Sequence, residues 1–313
     1  MATAFVFPGQ GSQATGMGRA LAEAFAAARL VFDEVDDALG QRLSRLMFEG
    51  PESELTLTEN AQPALMSVSI AVLRVLESEG GWQLPAKVAF VAGHSLGEYS
   101  ALAAAGALQL ADSARLLKLR GRAMQRAVSV GEGAMAALLG LDLAVAQEVA
   151  AAAGEGEVCA CANDNAPGQV VVSGAKAAVE RAIKLASERG ARRSILLPVS
   201  APFHCALMEP AAREMEEALA KVALAPPRVP LVANVTAAPV SDPETIRGLL
   251  VQQVTTMVRW RESILRLKAE GVHRLIELGA GKVLAGLAKR IDRDIEALAA
   301  GQPAEVEALL KAL

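Results

Sequence analysis

Aromatic residues are scarce in this chain: seven Phe, two Trp and one Tyr, 3% of 313 residues. Hydrophobic residues still make up 52%, so a large core is available and must be built from Ala, Leu, Val and Ile. Cysteine is equally sparse. Cys159, Cys161 and Cys205 form no CxxC pair, which excludes a disulfide framework and a zinc site and implies a reduced, cytoplasmic chain. An excess of positive charge is missing. The net charge of −4 argues against a nucleic-acid binder, which needs basic surface to displace counterions. Long apolar runs are missing too. The longest stretch free of Asp, Glu, Lys and Arg is 18 residues, 1–18, and it is broken by a Pro, four Gly and two Gln; the 15-residue stretch 194–208 contains a His and two Pro, so no membrane span is expected. The start of the chain lacks the basic and apolar regions of a secretion signal. Histidine occurs only at His94, His204 and His273, which restricts any base to three positions.

The length suits one large domain or two of ordinary size. No repeat or low-complexity linker interrupts it. "TAFVF" (3–7) reads as a buried strand, followed by a Gly-rich loop and a helix from about Met17 to Ala28. "PALMSVSIAVLRVLES" (63–78) reads as a helix, "KVAFVAG" (87–93) as a strand, and 96–108 and 111–128 as helices. Strands alternating with helices predict a parallel α/β sheet covered on both faces. From about residue 134 the order becomes β-α-β-β-α-β, the ferredoxin-like split unit, bracketed by "VGEG" (130–133) and Pro198. The expected organisation is a small ferredoxin-like subdomain, 129–197, inserted into a large α/β domain formed by 1–128 and 198–313. Beyond it a helix is expected at 209–223, a strand at 229–235, helices near 244–251 and 260–270, a strand at 274–279 and a helix at 282–292.

"GHSLG" (93–97) is a G-x-S-x-G at the point where an apolar strand gives way to a helix. That is the setting of a nucleophile elbow, where a sharp turn exposes the serine hydroxyl and the helix N-terminus favours developing negative charge. Ser95 is therefore the candidate nucleophile; its bland alternative is a helix N-cap. His94 adjoins it and points the other way, and His273 enters a strand. His204, in the irregular "VSAPFHCALM" beyond a strand end, is the base by elimination. A Cys205–His204 pair is disfavoured because adjacent side chains rarely meet.

At about 100° per residue, Leu116, Leu117, Ala123, Met124 and Ala127 lie within roughly 60° of Arg120 on helix 111–128. Arg115, Lys118, Arg122 and Arg126 all lie on the other side. A guanidinium on an apolar face needs an anion. Geometry leaves two possibilities open, an internal carboxylate or a substrate carboxylate held by a bidentate fork.

"FPGQGSQATGMG" (7–18) invites a phosphate reading, which fails. Met17-Gly18 stands where a P-loop requires Lys-Ser/Thr, and the segment after it lacks the second strand of a dinucleotide fold. The glycines still imply close backbone approach.

Together, "FPGQGSQ", "GHSLGEYSAL", "KLRGRAMQ", "NAPGQVVVSG", "SAPFHCALM" and "GKVLAGLAKRI" resemble the malonyl-CoA:acyl-carrier-protein transacylases of dissociated fatty acid synthesis, from about residue 4 to 293. The resemblance implies a hydrolase-like α/β domain carrying a ferredoxin-like insertion. It implies Ser95 as nucleophile, His204 as base and Arg120 as ligand of the malonyl carboxylate. It further implies an oxyanion hole from the backbone N–H groups of Gln10 and Leu96, Gln253 orienting His204 through its carbonyl, and Asn165 near the acyl pocket. Phe203 resembles the malonyl-selective form of its loop. Malonyl-CoA would be the substrate and acyl carrier protein the partner, with no metal, no bound cofactor, no nucleic acid and no membrane, the enzyme acting as a monomer. Two positions depart from the pattern: Thr256-Met257 replaces Asn-Pro, which questions the path around Gln253, and Ala280 replaces a common Pro. The competing readings are a serine esterase or thioesterase, which wants a carboxylate behind its histidine, a polyketide acyltransferase, and a non-catalytic nucleotide-binding protein resting on the Gly loop.

Overall fold

The computed structural model describes residues 2–313. Two sheets organise it. The larger has the order β10-β9-β1-β2-β7-β8, from β1 (Ala2–Phe7), β2 (Phe90–Gly93), β7 (Leu231–Val232), β8 (Pro239–Val240), β9 (Val272–Leu278) and β10 (Glu296–Ala300). Its pairs are parallel except β7–β8. The period of two sends alternate side chains to opposite faces. Phe5, Phe7, Val91, Leu231 and Ile276 enter a core shared with helices Thr58–Gly80 and Leu110–Arg126. Ala4, Val6, Ala92, Val232 and Leu275 enter a second core under Trp260–Ala269 and Val283–Ile291. A parallel sheet covered on both faces needs such continuously apolar strands.

The smaller sheet has the order β4-β5-β3-β6 and is antiparallel, from β3 (Gly133–Leu139), β4 (Cys159–Ala166), β5 (Gln169–Ala175) and β6 (Arg193–Leu196). Helices Leu143–Gly154 and Lys176–Glu188 pack on Ala136, Leu138, Val170 and Val172 of one face. The other face, through Met135, Ala137 and Val171, packs against Phe203 of the loop that carries His204. The strand order is that of a ferredoxin-like unit, as the β-α-β-β-α-β pattern predicts.

Several local expectations shift. The helix expected at 17–28 is broken at Phe25, whose backbone is extended (φ −130°, ψ 124°), into Arg19–Ala24 and Ala26–Leu39. The helix expected from Pro63 begins at Thr58, so Pro63 lies inside it rather than at its start. Its missing N–H removes one helical hydrogen bond, a loss set against the apolar side chains that this helix buries along most of its length. β10 and helix Pro303–Ala312 were not anticipated: "EALAA" reads as helix by propensity and becomes a strand only by pairing with β9.

Candidate active site

The elbow is forced by sterics. A Cβ on Gly93 would lie 1.9 Å from the Gly97 backbone, and one on Gly97 would lie 2.2 Å from the Phe7 carbonyl. Only glycine permits β2, the turn and helix Gly97–Ala104 to meet this closely. Ser95 itself takes the left-handed conformation, φ 53°, which is strained for a residue with a Cβ. Asn234, just past β7, holds it there: its Oδ1 accepts from the Ser95 N–H at 2.8 Å and its Nδ2 donates to the Gly93 carbonyl at 2.7 Å.

His204 meets Ser95 from a different element. It sits at φ 59° in the loop between β6 and the short helix Ala206–Met208. Its Nε2 lies 2.8 Å from Ser95 Oγ, and its Nδ1 lies 2.8 Å from the Gln253 carbonyl oxygen. The network fixes one tautomer: Nδ1–H donates to the carbonyl and Nε2 accepts the serine proton. Burial, and then the Arg120 charge, push the imidazole down to about 3, so the ring is neutral at pH 7. A backbone carbonyl stands where a hydrolase triad has its carboxylate.

Gln253 ends helix Pro243–Gln253, and the chain beyond it is well anchored despite Thr256-Met257. Thr256 Oγ1 donates to the Gln252 carbonyl at 2.8 Å, and Met257 packs on the small sheet's core. Val258 then pairs with β4, donating to the Ala162 carbonyl at 2.9 Å and accepting from the Asp164 N–H at 3.0 Å. Asp164 and Arg261 add an ion pair at 2.9 Å.

Arg120 is 1% exposed and has no ion-pair partner among the described residues. Its Nη1 donates to Gln62 Oε1 at 2.7 Å, and its Nη2 donates to Gln253 Oε1 at 2.8 Å and to Ser95 Oγ at 3.1 Å. The internal carboxylate left open by helix geometry is therefore not its partner. Two amide oxygens hold the guanidinium in place without cancelling its charge. Beneath it lie the Tyr99 ring, 5.8 Å from the guanidinium carbon, and the buried Glu98 carboxyl, which accepts from Gln253 Nε2. Burial raises Glu98 to about 8.

Ser95, His204 and Arg120 open into a cavity of about 410 Å³ that Gln10, Leu96, Met135 and Phe203 also line. Among the described residues the N–H groups of Gln10 and Leu96 donate to no protein acceptor. Close approach of the Gly-rich loop explains its glycines: a Cβ on Gly9 would lie 2.8 Å from the His94 carbonyl. Asn163, and not Asn165, lines the cavity; Asn165 is set back, its Oδ1 2.8 Å from His94 Nε2. Asn165 thus reaches the cavity through His94, which lines it, and β4 is irregular between the two asparagines, its register shifting twice between Cys161 and Ala166. His94 packs against Trp260, and His273 is exposed on β9. Cys205 donates to the Pro202 carbonyl at 3.2 Å and burial raises its thiol, so it does not pair with His204.

Gln62, Glu98 and Asn234 were missed from the sequence. Two of them carried a signal. Glu98 is a lone carboxylate in the apolar "GEYSALAA", the same anomaly that marked Arg120, and Asn234 follows the carboxyl end of a parallel strand. Gln62 carried none. Among the described residues no group of three or more His, Cys, Asp or Glu is arranged to hold a metal, and no helix is long and apolar enough to cross a membrane.

This arrangement can pass a serine proton to a neutral imidazole beside a fixed positive charge, which is the equipment of covalent acyl transfer from an acidic donor. Comparison with known proteins agrees. Residues 4–305 match the acyl transferase domain. The chain is 47% identical over 311 residues to the malonyl CoA-acyl carrier protein transacylase of Bacillus subtilis, covering 99% of this chain and 96% of that one. The crystal structure of an acyl-carrier-protein S-malonyltransferase from Bartonella henselae superposes with a TM-score of 0.97 at 59% identity, covering 100% and 99% of the two chains. A malonyl-transacylase solved in complex with a type II PKS acyl-carrier protein superposes at 0.96, 42% identical, covering 100% of both chains. The chain belongs to the acyl transferase domain family, among the acyltransferases that include the malonyl CoA-acyl carrier protein transacylases.

Proposed function

We propose that the protein transfers the malonyl group of malonyl-CoA to the phosphopantetheine thiol of an acyl carrier protein, through a malonyl ester on Ser95. The observation that carries this reading is Arg120: a buried cation held only by neutral oxygens, 3.1 Å from Ser95 Oγ. A carboxylate on the acyl group supplies its missing anion and fixes the thioester carbonyl beside the nucleophile.

In the first half-reaction Ser95 Oγ attacks the thioester carbon as its proton passes to His204 Nε2. The carbonyl oxygen becomes an oxyanion, which the Gln10 and Leu96 N–H groups stabilise. The Gln253 carbonyl stabilises the imidazolium through Nδ1–H. The C–S bond then breaks and the departing sulfur takes the proton from His204, leaving malonyl-Ser95 and CoA thiol. In the second half-reaction the carrier thiol gives its proton to His204 and its sulfur attacks the ester. Collapse expels Ser95 Oγ, which recovers the proton. The cycle is ping-pong and calls for no metal or bound cofactor. In this reading Asn165 acts at one remove, by holding His94 against the elbow.

The division of labour in the chain belongs to the same proposal. Residues 1–128 with 198–313 form the acyltransferase domain, and 129–197 form an inserted subdomain that roofs the cavity. Support comes from Met135, which reaches the cavity from β3. The enzyme acts as a cytoplasmic monomer on fatty-acid carriers.

Incubation of the protein with radiolabelled malonyl-CoA tests the reading. Wild type is expected to take up about one malonyl per chain, stable to denaturation and released by mild alkali. Ser95→Ala is expected to take up none; stoichiometric label on that variant would remove Ser95 from the role. Parallel transfer assays with fatty-acid and polyketide carrier proteins identify the acceptor.

A further inference from the structure

The two amides that hold Arg120 have their orientations set from behind. Gln62 Nε2 donates to Thr58 Oγ1 at 2.9 Å, and Thr58 Oγ1 donates onward to Gln10 Oε1 at 2.9 Å, so Gln62 must turn its oxygen to Arg120. Gln253 Nε2 faces three oxygens: Glu98 Oε2, the Ser95 carbonyl at 3.0 Å and Asn234 Oδ1 at 3.3 Å. Asn234 Oδ1 is already engaged by the Ser95 N–H. Glu98 makes the shortest of the three contacts and is itself 1% exposed. A flipped Gln253 amide would point N–H groups at a guanidinium that has only N–H groups to offer, and would leave both buried and unpaired.

Resting on the malonyl-transfer reading above, we infer that Glu98 is a positioning residue: its carboxyl fixes the Gln253 amide so that Oε1 holds Arg120 in register for an acidic acyl group. It acts as a hydrogen-bond acceptor and not as a counter-ion. The raised carboxyl, near 8, fits this division, because a neutral Glu98 leaves the Arg120 charge for the ligand. The groups packed around it are Tyr99, its neighbour on helix Gly97–Ala104, Arg120 from helix Leu110–Arg126, the Gln253 amide and the Asn234 backbone N–H. The same Gln253 carries the backbone carbonyl that orients His204. One residue thus joins the base to the clamp, and Glu98 sets its side-chain half.

The test compares malonyl-CoA with acetyl-CoA, which lacks the carboxylate, in initial-rate transfer to a carrier protein. Glu98→Leu keeps roughly the volume and removes the acceptor. It is expected to raise KM for malonyl-CoA about tenfold, the worth of one mis-set charge-assisted bond, while acetyl transfer stays within about threefold. Glu98→Gln keeps a carbonyl oxygen and no charge, and is expected to retain the wild-type ratio of malonyl to acetyl kcat/KM. If Glu98→Leu leaves that ratio unchanged, or if Glu98→Gln loses it, the inference is overturned. The Glu98→Gln outcome decides even where Glu98→Leu fails to fold. Arg120→Met run alongside separates the two levels. An unchanged ratio in that variant overturns the malonyl reading itself; a collapsed ratio there, with no change in the Glu98 variants, overturns only the role given to Glu98.

Discussion

Replacing Arg120 by methionine keeps an unbranched side chain in the buried slot and removes the cation. In the structure the guanidinium spans Gln62 Oε1, Gln253 Oε1 and Ser95 Oγ, all within 3.1 Å. A malonyl carboxylate docking against it gains two charge-assisted hydrogen bonds of about 1.5–3 kcal/mol each, about 3–6 kcal/mol together. At about 1.4 kcal/mol per decade, Arg120→Met is expected to lower malonyl kcat/KM by roughly 10²–10⁴. Acetyl-CoA never makes these bonds, so its kcat/KM is expected to fall by less than about tenfold; the two buried amide oxygens left unpaired cost folding stability, which both donors share. The assay is carrier-dependent release of CoA thiol with each donor, on protein whose thermal unfolding remains cooperative. Equal losses for malonyl and acetyl would refute the argument and make Arg120 a structural residue of the helix packing. A rise in acetyl transfer is compatible with it, since removal of an unpaired buried charge relieves a desolvation penalty.

The same substitution moves a proton. His204 lies near 3 partly because Arg120 repels its protonated form, so the neutral, active ring persists well below the ordinary value of 6.5. Wild-type kcat/KM for acetyl transfer is expected to hold as pH falls past 6, and Arg120→Met to shift the acid limb upward; an unshifted limb would contradict the assignment. The linkage has the matching sign: a depressed His204 contributes stability that is present above 6.5 and lost as pH falls toward 3. Asn234→Ala strands the Ser95 N–H and the Gly93 carbonyl, and is expected to cost about 2–4 kcal/mol in urea unfolding together with most activity; stability within 0.5 kcal/mol of wild type, the ordinary range for a surface change, would show that the elbow holds itself. An acidic carrier protein docking on exposed Arg193, Lys289 and Arg290 predicts a carrier KM that rises with salt, and a salt-independent KM would exclude that surface.

The short code of the elbow was legible because it is local. Gly93 is dictated by the backbone of Gly97 four positions on, and the strand-to-helix change is written in the same window, so the G-x-S-x-G stands out even though Gly97 also answers to the distant Phe7 carbonyl. The β-α-β-β-α-β order could likewise be read because each element carries its own period. Arg120 was legible as an anomaly, a charge on the wrong helix face, though the sequence could not name its partner. That Asn163 lines the cavity while Asn165 stands behind His94 was not legible, because the register of β4 shifts there and a bulge leaves no mark in the side-chain pattern.

By itself, then, the sequence determined the class of the fold, the site of the sharp turn, and the fact that a base and a buried cation had to be accommodated. Tertiary structure alone decided what meets what. Ser95 and His204 are 109 positions apart, and Arg120 and Gln253 are 133 apart, and each pair is joined by a single hydrogen bond. Whether Arg120 faces a carboxylate or an amide, whether Gln253 offers its oxygen or its nitrogen, and whether Glu98 is ionised are questions of burial and hydrogen-bond direction. Those depend on groups brought together from several elements, and no window of the chain contains them.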